Sequence, residues 1–393
     1  MLKLVFYKKN QQTEIYKTTF KKRNMKTKSF YLGLALLSFM TWSCTSQDGS
    51  SNQSLKTSIN ASAQSLTTAM TSITSSPGYG VLSNSGLASS PSMVRSSAAT
   101  SMTTFTDTIS LSQIAGIYDF KATKYKKWRP ELFNFFSKTG TSSDFIVRLP
   151  ESKVKNPRTL FQYLAADTAL VNNYVIDVSK YRYVYGGFLW NYNLASNITV
   201  SNVNVGALSV QSSRNKTSGQ NFVSDFMFTN GYDAKLQYST GDTILSVYSI
   251  SKGATTLFQE KFTSIKDLTS HHREKLYSLT IGNVQVLRNP TNGNNGLDSA
   301  RVYLGGVLQT KAKVKIIDTT SSSTDENTEF SVIGHNRDLQ ITFDDGTVTT
   351  VSQLLSTTIT DVRTLFLSLR QVYFATNVVD WVAWDVLMNK NNM

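Results

Sequence analysis

Six aromatic side chains alternate through the stretch "KYRYVYGGFLWNYN": Tyr181, Tyr183 and Tyr185, then, after Gly186-Gly187, Phe188, Trp190 and Tyr192. A two-residue turn at the glycines sets 185 opposite 188, 183 opposite 190 and 181 opposite 192, so all six share one face of a ribbon. Exposed, that face is a large apolar patch whose flat rings suit stacking on sugar rings or lipid tails, which makes the six residues candidate ligand-binding residues. Buried, the same alternation is a cross-strand aromatic ladder of the core. Arg182, Val184, Leu189 and Asn191 form the opposite face, which is not decisively polar. Both readings stand on the residues alone.

Other chemistry is sparse. "YDFKATKYKKWRP" interleaves five Lys and Arg residues with Tyr118, Phe120, Tyr125 and Trp128. It suits an acidic polysaccharide or lipid headgroups, or else it guards an edge strand against pairing with other chains. The three histidines are His271-His272 and His335, with no HExxH and no second thiol, so no metal site is expected. The chain holds no GxSxG elbow, no phosphate-cradling glycine loop and no EF-hand spacing, and Asp344-Asp345-Gly346 reads as turn chemistry. No catalytic residues and no cofactor are expected. Two distant acids assembled in space would still suit a glycoside hydrolase, the less favoured reading.

The only cysteine, Cys44, follows an uncharged run of eleven residues from Phe30 to Met40, preceded by Lys26 and Lys28 and followed by Ser-Gln-Asp-Gly within a few positions. Crossing a bilayer takes about 20 apolar residues, so the run is too short to span. A basic start, a short apolar stretch and a small residue, Ser43, before the cut mark an export signal. The arrangement resembles the lipobox of bacterial lipoproteins, in which signal peptidase II cuts before a lipid-bearing cysteine. Thr41 and Trp42 depart from the usual Leu and small residue, and the looser pattern is similar to that of Bacteroidota lipoproteins. The resemblance implies acylation (palmitate among the chains) of Cys44, a membrane partner through that anchor, an outer-membrane address and exposure at the cell surface. Met25 would give a more compact signal than Met1. Residues 1–43 hold nine Lys and Arg and one Glu, so more than half of the net charge of +14 leaves with the signal. The pI near 9.6 therefore does not point to nucleic acid as a partner. With Cys44 carrying lipid, no disulfide remains.

Asp-Ser or Asp-Thr followed by Ala, Ile or Thr places Thr108, Thr168, Thr243, Ser299 and Thr319 in a pattern that resembles the O-glycosylation acceptor of exported Bacteroidota proteins. The resemblance implies surface positions, since a glycan is bulky and solvated.

The elements that must position these residues follow from periodicity. Residues 1–43 are the targeting segment and 44–53 a lipidated tether. Over 54–76, Leu55, Ile59, Ala63, Leu66, Met70 and Ile73 recur at helical spacing and predict an amphipathic helix that docks on the main domain or on a partner. Residues 77–110 read as a Ser/Thr-rich irregular linker; Ser and Thr supply 28 of the 63 residues from Thr45 to Asp107. The rest, 111–393, is a β-rich domain. Turns at Asn230-Gly231-Tyr232, Gly241-Asp242 and Lys252-Gly253 predict a four-stranded meander that pairs Phe228 with Ala234, Tyr238 with Leu245 and Val247 with Phe258. Asp345-Gly346 pairs Phe343 with Val348, and Asn156-Pro157 is read as opening a short helix. Val362, Leu365, Phe366, Leu369, Val372 and Tyr373 share a helical face, with a break expected at Asn377 before the all-round apolar "VVDWVAWDVLM".

The expectation is a mainly β, α+β fold: a large antiparallel sheet or sandwich with a C-terminal helix packed on it and an N-terminal amphipathic helix. It resembles β-rich surface lipoproteins of the Bacteroidota. The function expected is a lipid-anchored binding or structural module, not an enzyme, that engages glycan or an outer-membrane protein. The alternative is a carrier for lipid or another amphiphile, with the curved sheet and helix enclosing a cavity.

Overall fold

A computed structural model describes residues 54–83, 107–122, 135–156, 159–160, 163–186, 189–216, 219–266, 273–288, 300–318, 337–371 and 373–391. Cys44, Phe188, the histidines, Ser299, Thr319 and all but the first few residues of the basic stretch lie outside them.

The protein is mostly β. The first helices are α1 (Leu55–Thr74) and α2 (Pro77–Ser83). Four short strands follow with two short helices between and after them: β1 (Asp107–Ser110), α3 (Leu111–Ile114), β2 (Gly116–Phe120), β3 (Phe136–Gly140), β4 (Phe145–Leu149) and α4 (Glu151–Lys155). A long meander then runs β5 (Tyr174–Gly186), β6 (Leu189–Val200), β7 (Val203–Asn215), β8 (Gly219–Phe228), β9 (Tyr232–Ser239) and β10 (Thr243–Lys252). It continues through β11 (Thr255–Lys266), β12 (Arg273–Ile281), β13 (Val284–Arg288), β14 (Arg301–Leu304) and β15 (Val307–Leu308). The chain closes with β16 (Lys313–Asp318), β17 (Arg337–Thr342), β18 (Val348–Thr350), α5 (Val351–Leu355), α6 (Thr358–Gln371) and α7 (Tyr373–Asn391).

The first fifteen strands form one sheet in which β5 to β15 lie side by side in chain order; β4, β2 and β3 extend it beyond β5, and β1 also pairs with β5. Every pairing is antiparallel except β2 with β4. β16, β17 and β18 make a separate three-stranded sheet.

α1 begins where Ser54 Oγ accepts the Thr57 N–H at 3.2 Å, an N-cap. All six residues of its predicted face are buried, and it packs on β11, β12, β13 and α6. Pro77 ends the run but opens α2 at the first helical position, so residues 77–83 are helical rather than irregular linker. α6 ends at Gln371 and α7 begins at Tyr373, so Asn377, where a break is expected, lies inside α7. Asn156 is the C-cap of α4 and its carbonyl accepts the Thr159 N–H at 2.9 Å; the residues that follow it at 157–158, where a short helix is expected to open, lie outside the described ones.

α1, α2, α6 and α7 share one face of the large sheet, while α5 packs on β17 and β18. Phe366 of α6 packs its ring 5.2 Å from Tyr248 and 6.3 Å from Phe258, and Trp384 of α7 lies 5.0 Å from Tyr185. A bulge between Val178 and Lys180 explains how one strand serves that face throughout: an extra residue switches the alternation, so Tyr174, Ile176 and Val178 and then Tyr181 and Tyr183 are all buried.

Registers differ from the turn-based expectations. Phe226, not Phe228, pairs with Ala234, because the loop is Thr229–Gly231 and Tyr232 joins the strand. Ser239, not Tyr238, pairs with Leu245, a one-residue slip that turns Leu245 and Val247 to the other face and brings Tyr248 and Ile250 inward. Ile250 pairs with Phe258 across a turn at Gly253-Ala254. Phe343 bonds Thr347, leaving Val348 exposed.

Candidate functional site

The aromatic hairpin is core. Its register is 183 with 192, 185 with 190 and Gly186 with Leu189. Each partner moves by two residues from the expectation and no residue changes face. Tyr181, Tyr183 and Tyr192 are buried; Tyr185 and Trp190 are half-buried and packed against the core. Their rings form the ladder: Tyr181 to Tyr192 at 5.9 Å, Tyr183 to Tyr192 at 5.8 Å and Tyr183 to Tyr185 at 5.3 Å. α7 covers them, and the Tyr181 hydroxyl donates to Asp380 Oδ1 at 2.9 Å. The open platform is therefore corrected for the five described rings: α7 packs over the ladder as well as on α3 and α6. β2 likewise lies inside the sheet, between β3 and β4, and Tyr118 and Phe120 are buried; the lysines beyond Lys121 lie outside the described residues.

The ladder continues beyond α7. Tyr183, Tyr192, Ser212, Phe222, Tyr238, Ser246, Phe262, Tyr277 and Arg288 are successive register partners from β5 to β13. Because partners directly across an antiparallel pair point to the same side, this is one row of side chains across nine strands, six of them aromatic. Cover is uneven along it. The Tyr183–Tyr192 end is buried, whereas Tyr238 is 39% exposed and Phe222, Ser246 and Phe262 are partly exposed.

The parallel row one step deeper reads Tyr181, Leu194, Val210, Ser224, Leu236, Tyr248, Glu260, Leu279 and Val286; all but Glu260 are buried. One step further out lie Tyr185, Trp190, Arg214 and Gln220 and, on the far strands, Ile244, Ser264 and Lys275. The helix-bearing face thus grades from a covered apolar floor to a half-open aromatic row and then to a polar, basic lip.

Charge follows the same division. From β8 to β13, alternation sends Lys266, Arg273, Lys275 and Arg288 to this face, while Asp225, Asp233 and Glu274 point to the other together with Lys235 and Lys261. Glu260 is the one acid of those strands on this face. Burial pushes its carboxyl up to about 8, against the pull of Arg363 on α6 and of the Tyr277 hydroxyl. The Tyr277 hydroxyl is raised in turn by burial and by the Glu260 charge. On the opposite face Asp225 is pushed to about 7 by burial and by Asp233 beside it.

The remaining predicted sites scatter. Thr108 is half-buried in β1, opposite Val184. Thr168 and Thr243 are exposed, the first on the 3-10 turn Ala165–Ala169. The acid beside Thr168 is not a surface residue: Asp167 is buried and pairs with Lys153 at 2.8 Å, whose ammonium also donates to the Thr159 carbonyl at 2.7 Å. Sequence reasoning missed Arg214, Phe222 and Phe262 as members of a site. The signal was period-two alternation in each strand, but only the register joins the strands into one row.

No helix among the described residues is long and apolar enough to cross a membrane. The architecture defines a wide antiparallel sheet with a helix layer over part of one face. Compared with family models, curated proteins and solved structures, the chain matches none.

Proposed function

We propose that this chain is a non-enzymatic binding module, held on the outer membrane by lipid on Cys44, that takes an acidic glycan along the half-open part of its aromatic row. One observation carries the reading: the row of nine register partners is aromatic at six positions, and its middle, around Tyr238, is left partly open while the rows beneath are covered. Rings on such a row offer stacking faces to sugars. The flanking cations Arg214 and Lys275, with an acid on the same face that favours its neutral form, give the surface a bias for anionic ligands. Cell-surface exposure and glycans on Thr168 and Thr243 belong to the same proposal.

The test uses the chain from residue 45, without acyl groups, titrated calorimetrically with polygalacturonate and with neutral dextran. Binding to the acidic polymer that weakens at high salt, and that Tyr238→Ala or Arg214→Ala cuts roughly tenfold, is expected; each tenfold is about 1.4 kcal/mol. Equal binding of both polymers, or acidic binding unchanged in both variants, would refute the assignment of the site.

A further inference from the structure

At the end of the sheet away from the aromatic lip, α2, α4 and the β6–β7 turn line a half-open pocket of about 320 Å³. Its walls are aliphatic: Val81, Val154, Val200, Val203 and Val205, with Tyr174. Lys155 and Glu151 also line it, paired with each other at 2.8 Å, and the lysine side chain is 53% exposed.

The walls are held from several sides. Ser201 and Asn202 form a two-residue turn with both φ values positive, which sets Val200 opposite Val203. Asn173 ties that turn to α4: its side-chain carbonyl accepts the Glu151 N–H at 2.9 Å, its amide donates to Ser201 Oγ at 3.0 Å, and its backbone carbonyl accepts the Ser201 N–H at 2.7 Å. On the α2 side, a Cβ at Gly78 would come within 2.4 Å of the Val205 carbonyl, so helix and strand are in direct backbone contact there.

We infer that this pocket binds the alkyl chain of a medium-chain fatty acid, with the ligand carboxylate on Lys155. The size matches a small ligand site. At roughly 30 Å³ for a group the size of a water molecule, it holds about ten methylenes. Branched aliphatic walls favour an alkyl chain over a sugar ring, which needs many hydrogen-bonding partners. Lys155 supplies the complementary charge, and its ammonium has N–H donors beyond the one engaged by Glu151. The site rests on residues separate from the aromatic row, so it does not depend on the glycan reading.

The experiment titrates the acyl-free chain with hexanoate, octanoate, decanoate and dodecanoate, each below its micelle concentration, and with decanol. Expected is one saturable site whose affinity rises about fourfold per methylene and levels off near ten carbons. Decanoate should bind tighter than decanol in the wild type, and Lys155→Met should abolish that preference while leaving decanol unchanged. Val81→Phe, which fills the pocket, should abolish binding of the whole series; Val203→Phe, at an exposed valine of the wall, repeats that test without disturbing α2. No saturable binding, or binding that both filling variants leave intact, would overturn the site. Equal affinity for decanoate and decanol in the wild type would overturn the role of Lys155.

Discussion

Glu260→Gln should remove most of a pH dependence that the wild-type fold carries. Glu260 sits between Tyr248 and Leu279 in a row that is otherwise buried and largely apolar, with Phe366 packed edge-on against Tyr248. Desolvation disfavours the carboxylate there, and the Arg363 charge and the Tyr277 hydroxyl recover only part of the cost, so the carboxyl rises from 4.5 to about 8. In the unfolded chain the same group titrates at its ordinary value. Between those limits the native state holds a proton that the unfolded state has released. Stability therefore falls as pH rises from about 4.5 through about 8 and levels off above. At about 1.4 kcal/mol per pH unit, the full swing is at most about 5 kcal/mol.

Gln keeps the shape and the hydrogen-bonding capacity but has no proton to lose. Urea unfolding of both proteins at pH 5, 7 and 9 is the assay. The two should agree within about 1 kcal/mol at pH 5, and the variant should be the more stable by several kcal/mol at pH 9. Asp225, raised to about 7, gives both proteins a common slope in the same direction, which cancels in the difference. Parallel pH profiles, or a variant less stable than wild type at pH 9, would refute the view that Glu260 is held neutral by burial.

Three further substitutions test the packing. Leu66→Ala, at a fully buried position of α1, should cost about 2–5 kcal/mol by chemical denaturation, as for a core leucine; a surface-like loss below 1 kcal/mol would mean that α1 is not docked. Gly282→Ala should cost about 1–3 kcal/mol, because φ is +58° and the new Cβ would lie 2.5 Å from Ser62 Oγ on α1; Ser62→Gly should relieve the clash but not the backbone strain. Lys153→Met should cost about 3–5 kcal/mol by stranding Asp167, with much of the loss regained in Lys153→Met/Asp167→Leu, a cycle read by thermal unfolding.

The sequence made faces legible and left neighbours open, for a physical reason. Alternation in a strand and 3.6-residue spacing in a helix are local, so the buried side of α1 and the common face of Tyr181, Tyr183 and Tyr185 could be read directly. Register depends on where a loop closes. Register shifts of two, as between β5 and β6 and around the Thr229–Gly231 loop, change each partner and preserve the face. At Gly241-Asp242 the loop holds one residue more than a two-residue turn, and that odd shift exchanged Leu245 and Val247 for Tyr248 and Ile250. What covers the ladder was beyond any local signal, since Asp380 lies 199 residues from the tyrosine it accepts from.

That distinction bears on the site itself. A row of register partners comes into being only when eight loops have closed at the right length, so none of its strands looks special alone. Tyr238 is one alternating aromatic among many, and Arg214 one exposed cation. Their adjacency follows from Arg214 pairing with Gln220, and Ser212 with Phe222, which pairs with Tyr238. Face assignment survives even shifts of register, but the composition of a row does not: moving β9 by two residues would put Leu236 in the place of Tyr238 and bury no new surface. A two-residue insertion in the 229–231 loop should therefore be tolerated by the fold, whose floor stays apolar, and be costly to any ligand that reads the aromatic row. Comparing its urea midpoint with its polygalacturonate affinity separates the two. Loss of both together would mean that register, and not only face, is part of what stabilises this sheet.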